Sequence, residues 1–142
     1  MSNPSGEWAL ILGASSGFGA ATARELARAG FHIAGVHFDL RATLPAAEAV
    51  ATDIREMGVD AAFFNINAAD AKKRESVVAE LVTRLSDHNV MGCLRVLVHS
   101  LAFGALRPFV SEDEMEPAQS KHFAMTYEVM ADSLVFWTRD IV

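Results

Sequence analysis

From Ala9 to Gly19 the chain runs through an uncharged apolar stretch and then three glycines, Gly13, Gly17 and Gly19, spaced G-x-x-x-G-x-G. The apolar stretch reads as a short strand. The glycines permit a tight turn, a close approach of backbone to a phosphate, and close packing of the following helix on that strand. The helix opens at Gly17. Its first amides have no partner within the helix, so an anion is their natural occupant. The segment therefore predicts a strand–turn–helix unit whose loop cradles a dinucleotide.

The letters Gly13-x-Ser15-x-Gly17 also fit the G-x-S-x-G nucleophile elbow, which would make Ser15 a nucleophile. Position weighs against that reading. An elbow serine sits on a central strand reached after several others, and Ser15 stands too early in the chain; Gly19 is also surplus to an elbow.

The 142 residues suit one domain, and a composition of 51% apolar and 21% charged residues is that of a folded chain. A net charge of −6 argues against a nucleic-acid partner, which would call for a basic stripe. No apolar run approaches the roughly 18 residues of a membrane span. The first six residues lack the features of a signal peptide. The expectation is a cytoplasmic protein with no membrane partner. The single cysteine, Cys93, excludes an internal disulfide framework and is expected at or near a buried strand as a small hydrophobe. No pair among His32, His37, His88, His99 and His122 shows a metal-ligand spacing, so no metal site is expected. His32 and His37, five apart on a strand, should point to opposite faces. His99 reads as a strand-end histidine bonded to local backbone rather than as a base.

Residues 8–12 form the first strand and 17–29 a helix, with Ala20, Ala23, Leu26 and Ala27 toward the sheet and Arg24, Glu25 and Arg28 toward solvent. Gly30 caps that helix, and residues 31–38 form a strand apolar enough to be buried on both faces. Pro45 suits the first turn of a second helix, whose Ala46, Val50, Ile54 and Met57 share a face before Gly58 ends it. Residues 61–66 make a third strand. Asp70 is the N-cap of a third helix, which lays Val77, Val78, Leu81, Val82 and Leu85 along one side. Residues 94–99 make a fourth strand. The looser stretch 104–120 carries Pro108, Pro117 and the acidic run Glu112, Asp113 and Glu114, read as a solvated loop. From about Lys121 the chain is helical, with Phe123, Met130, Leu134 and Trp137 on one side and Val129, Val135 and Phe136 widening the stripe. Four strands alternating with four helices predict an α/β fold, a Rossmann-type doubly wound parallel sheet that is part of a larger one, in a single domain over 1–142.

With Gly13, Gly17 and Gly19 in this order, the chain resembles a short-chain dehydrogenase/reductase from about Glu7 to Asp140. The segment Val98, His99, Ser100, Leu101, Ala102, Phe103, Gly104 stands where most members carry Asn-Asn-Ala-Gly. It is similar instead to the enoyl-acyl-carrier-protein reductase branch. Leu12, where many members have Thr, is a further departure. The resemblance implies an NAD(P)-dependent oxidoreductase that moves hydride to or from a carbonyl, alcohol or enoyl substrate.

It also implies roles by position. Gly13, Ser15, Ser16, Gly17, Phe18 and Gly19 would hold the pyrophosphate and adenosine ribose. His37 stands where NAD-using members keep a ribose-binding acid; the missing carboxylate, with Arg41 nearby, leans toward NADP. Asp39, two residues on, would restore NAD if the strand bends inward. Asn67 and Ala68 match positions at the adenine edge, to which an amide offers both donor and acceptor; a turn asparagine is the equal alternative. His99, Ser100, Leu101 and Ala102 would run beside the nicotinamide ribose, mostly through backbone groups.

The family's chemistry depends on a Tyr-x-x-x-Lys pair, in which the lysine lowers the tyrosine's pKa so that the phenol can exchange a proton. Here the single tyrosine, Tyr127, is followed four residues on by Ala131, and Met130 stands where many members keep a structural asparagine. No catalytic residue is assigned. The chain reads as an N-terminal, cofactor-binding half that stops before the catalytic segment, in a homo-oligomer acting on a small molecule. Two other classes stay open: a nucleotide-binding regulatory module without turnover, and a half-domain completed by a partner chain.

Overall fold

The structure is a computed structural model that describes residues 6–86, 92–111 and 116–142. Strands β1 (Glu7–Leu12), β2 (His32–His37), β3 (Ala61–Asn65) and β4 (Cys93–His99) form one parallel sheet in the order β3-β2-β1-β4. Between them lie helices α1 (Gly17–Arg28), α2 (Leu44–Glu56) and α3 (Ala71–Ser86). After β4 come α4 (Ser120–Tyr127), a π-helical turn (Glu128–Asp132) and α5 (Ser133–Ile141). The α/β, doubly wound parallel arrangement is that expected from the sequence.

The sheet is buried on both faces. Ala9, Ile11 and Ile33 meet Ala20, Ala23 and Ala27 of α1 and Val50 and Ile54 of α2. Trp8, Leu10, Leu12 and Val36 meet Val77 and Leu81 of α3 and Trp137 of α5. A large apolar side chain removed from water in this way contributes roughly 1.5–3 kcal/mol. Small residues on α1 let that helix lie close to the strands, as the first glycines anticipated. Asp70 caps α3, its carboxylate accepting from the Lys73 amide at 3.0 Å.

Several expected faces shift. On α2 the buried line is Ala47, Val50, Ala51 and Ile54, and Ala46 is exposed. On α3 Val82 is exposed, while the charged Arg74 is buried. The stripe after Lys121 faces largely outward: Phe123, Met130, Leu134, Val135 and Phe136 are exposed, and the buried line is Ser133 and Trp137. Cys93 opens β4 and is exposed, not buried. His88 and the run Glu112–Glu114 lie outside the described residues. Among the described residues, no helix is long and apolar enough to cross a membrane.

Strand order positions the site. The chain moves outward from β1 to β2 and β3, then returns to the other side of β1 as β4. Reversal of direction leaves a crevice at the carboxyl ends of the strands, where open α/β sheets bind ligands. Leu12 pairs with both Val36 and His99, and His37 pairs with Asn65, so the strands end at one edge and release four loops there.

Candidate functional site

The glycine-rich turn is tied down on both sides. The Gly13 and Ala14 amides both donate to the Val36 carbonyl, at 2.8 and 3.0 Å, and the Ser100 amide donates to the Leu12 carbonyl at 2.8 Å. The three glycines then divide their roles. A Cβ on Gly13 would lie 2.3 Å from the Ser100 carbonyl oxygen, and one on Gly19 would lie 1.9 Å from that of Gly13. Both are required by close packing. Gly17, at φ +54°, has nothing within 4 Å of such a Cβ. It leaves the cradle open where α1 begins. Ser16 occupies the N-cap in extended conformation without a side-chain capping bond, so its hydroxyl and the first α1 amides are available to a ligand.

A cavity of about 390 Å³ opens beside this turn. That is the scale of a small-molecule or cofactor site. Gly13, Ser15, Ser16, Gly17 and Phe18 line it from the turn, His37 from the end of β2, Asn67 and Ala68 after β3, and Ser100, Leu101 and Ala102 after β4. Eleven expected residues thus meet around one space. Three do not line it: Gly19 is buried in the packing of α1, and Asp39 and Arg41 lie beyond the wall. Val36, Phe38, Ile66, Phe103 and Val129 also line it, unforeseen from the sequence. Phe38 and Ile66 flank strand ends and were within reach of a loop argument. Val129 enters from the π-helical turn, which left no sequence signal.

Asp39 leaves the strand but stays against the protein. The Asn65 side chain takes its backbone in a two-point grip: the Asp39 amide donates to Asn65 Oδ1 at 2.9 Å, and Asn65 Nδ2 donates to the Asp39 carbonyl at 3.0 Å. His37 Nδ1 lies 2.8 Å from Asp39 Oδ2. Burial pushes the Asp39 pKa up, but contacts with the Thr43 and Ser15 hydroxyls and the His37 imidazole outweigh it and hold the carboxyl below its ordinary value. Asp39 therefore turns back against Ser15 and His37 without lining the cavity.

Asn67 serves its turn, with Oδ1 accepting from the Ala69 amide at 3.0 Å, and also lines the cavity. His99 Nε2 lies 2.8 Å from Ser133 Oγ, and that hydroxyl donates to the Val129 carbonyl at 2.6 Å. Because the serine hydrogen is used there, its oxygen accepts from His99 Nε2–H. Burial lowers the His99 pKa, against opposing contacts with the His99 and Val129 carbonyls, so the ring is neutral near pH 7. His99 ends its strand as expected, but its ring bonds a side-chain hydroxyl 34 residues away where a local backbone partner was expected. Tyr127 is largely exposed on α4, and no lysine stands four residues on.

A family model described as short chain dehydrogenase matches residues 7–142. This chain belongs to the short-chain dehydrogenase family. It is 32% identical over 83 residues to 3-oxoacyl-acyl-carrier-protein reductases of Staphylococcus aureus, a match covering 58% of this chain and 32% of those proteins. Among solved structures it is similar to a 3-oxoacyl-acyl-carrier-protein reductase from Brucella melitensis (26% identity, TM-score 0.73, 95% of this chain and 48% of that one). It is also similar to L-sorbose reductase from Gluconobacter frateurii, solved with NADPH and L-sorbose (26% identity, TM-score 0.74, 98% and 47%). The chain thus spans about half the length of these solved relatives.

Proposed function

We propose that the chain supplies the dinucleotide site of an NAD(P)-dependent oxidoreductase that moves hydride to or from a carbonyl, alcohol or enoyl group. One observation carries this reading: the open N-terminus of α1 at Gly17 faces a cavity that also gathers the ends of β2, β3 and β4. When bound, the nicotinamide supplies or receives the hydride. The α1 amides and the Ser16 hydroxyl hold the pyrophosphate, Ile66, Asn67 and Ala68 line the adenine side, and Ser100, Leu101 and Ala102 line the nicotinamide ribose. The relatives in the curated comparison reduce a 3-oxoacyl group, while the segment 98–104 is similar to enoyl reductases. Together they support an acyl thioester, reduced at its carbonyl or its double bond, as the substrate. A cytoplasmic homo-oligomer is the proposed setting.

Titration of the full chain with NADH and NADPH, followed by cofactor fluorescence, tests the site. Saturation is expected with at least one. Gly17→Asp puts a negative charge at the cradle without a steric clash and should abolish binding in a protein that still folds. Binding left intact in that variant would remove the cradle assignment.

A further inference from the structure

We infer that α5 braces the cavity, with Trp137 fixing its adenine wall and Ser133 fixing its nicotinamide wall. This rests on the proposed dinucleotide site and deepens it. Val129, Ser133 and Trp137 follow at intervals of four, so they share one side of the helix that runs from the π-helical turn into α5. Val129 lines the cavity, and Ser133 and Trp137 are both fully buried. A serine hydroxyl and an indole each have one hydrogen to give. Here each gives it to the backbone carbonyl of a residue that lines the cavity. Trp137 Nε1 donates to Ala68 at 2.9 Å, and Ser133 Oγ donates to Val129 at 2.6 Å. The serine oxygen also lies 2.8 Å from His99 Nε2, and His99 immediately precedes Ser100 in the cavity wall. One helix thus reaches the walls that follow β3 and β4 as well as its own π-helical turn.

Burial alone would accept phenylalanine at 137 and alanine at 133. The polar atoms do what those residues could not, which is to hold main chain. In the turn after β3 the Asn67 side chain supplies a local tie, accepting from the Ala69 amide at 3.0 Å. Trp137 adds a bond across 69 residues that fixes this turn against α5. Ser133 bonds back to the carbonyl four residues earlier, a contact that bends helices, and the π-helical turn that presents Val129 lies there. A wall fixed before the ligand arrives spares the ordering cost of binding. Each bond therefore raises affinity for the half of the ligand beside its own wall. Ala68 stands on the adenine side. Val129 is tied through Ser133 and His99 to the end of β4, the nicotinamide side. Trp137 and Ser133 are positioning residues, and neither lines the cavity.

The test splits the dinucleotide into its halves, AMP and nicotinamide mononucleotide. The inhibition constant of each is measured as it displaces NADH or NADPH from the full chain. Trp137→Phe keeps most of the ring's bulk and loses the N–H. It should weaken AMP by about threefold to tenfold and leave the nicotinamide half unchanged. Ser133→Ala should do the reverse, weakening the nicotinamide half by a similar factor and sparing AMP. In the unaltered chain, AMP should shift the Trp137 indole N–H resonance and nicotinamide mononucleotide should not, a readout that needs no variant to fold. Equal weakening of both probes in each variant, in step with lost thermal stability, marks a purely structural role and overturns the inference. So do unchanged constants in both variants, or a Trp137 resonance indifferent to AMP. Each of these outcomes leaves the dinucleotide site standing. Failure of the unaltered chain to bind any of the four nucleotides overturns the dinucleotide reading itself, and this inference with it.

Discussion

A methyl group at Gly13 would meet the Ser100 carbonyl oxygen at 2.3 Å, and one at Gly19 would meet the Gly13 carbonyl oxygen at 1.9 Å. In both cases the obstacle is backbone, which cannot rotate away as a side chain can. Gly13→Ala and Gly19→Ala should each lower stability by about 3 kcal/mol, or prevent folding, through overpacking at the junction of β1, α1 and β4. Gly17→Ala meets no atom and incurs only the cost of a positive φ, about 1 kcal/mol. Thermal or urea unfolding of the three variants checks this ordering. Spacing made the glycines legible as a set; that Ser100, just after β4 and far away in sequence, closes off Gly13 is decided by the fold.

His99 belongs to the same scale. Its folded pKa is depressed, so its contribution is fully present above the ordinary histidine value near 6.5 and is lost as pH falls through the folded pKa. Unfolding free energy measured between pH 7.5 and 5 should fall on acidification, and His99→Asn should flatten that component. Protonation would also place a charge beside Ser133, which is fully buried. A pH slope left unchanged by the substitution would contradict the anchor role.

At the scale of elements, α3 and α5 are clasped by a charge cluster. Arg74 Nε donates to Asp140 Oδ2 at 2.6 Å, Arg139 Nε donates to Asp140 Oδ1 at 2.7 Å, and both guanidinium groups lie over the Phe136 ring. Beside them Trp137 Nε1 donates to the Ala68 carbonyl at 2.9 Å, tying α5 to the loop after β3. Asp140→Ala leaves the buried Arg74 cation without its carboxylate and should cost about 3 kcal/mol in urea unfolding. The Asp140 pKa is lowered, by hydrogen bonds first from Arg139 and then from Arg74. The clasp is therefore present above the ordinary carboxylate value near 3.8 and is lost as pH falls through the lower folded value.

The single apolar side expected after Lys121 is divided by the structure between solvent and the sheet. Periodicity groups Phe123, Met130, Leu134 and Trp137, but it assumes a uniform helical turn. The π-helical turn at Glu128–Asp132 changes the angular phase midway, so Ser133 and Trp137 reach the sheet while Leu134 and Phe136 turn out. The burial of Arg74 has a related reason: its partner stands 66 residues away. No local pattern reports that.

For the whole molecule, Phe123, Met130, Leu134, Val135 and Phe136 leave apolar surface exposed along α4, the π-helical turn and α5. Single exposed apolar residues are ordinary, whereas a group on one side favours association. Light scattering across a concentration series should show self-association of the chain, and the double substitution Leu134→Lys and Val135→Lys should shift it toward monomer. A strict monomer at all concentrations would count against the proposed homo-oligomer.

The sequence by itself determined the alternation of strands and helices, the strand–turn–helix unit at Gly13 to Gly19, and the loops that carry the site. These follow from short-range physics: side-chain period, glycine freedom and capping act within a few residues. Tertiary structure alone decided which sides of the later helices are buried, that Asp39 turns back against Ser15, and that Asn65 holds it there. Those outcomes depend on which strands become neighbours. Parallel pairing joins residues tens of positions apart, and the hydrogen bonds that settle a side chain's direction exist only once the sheet has formed.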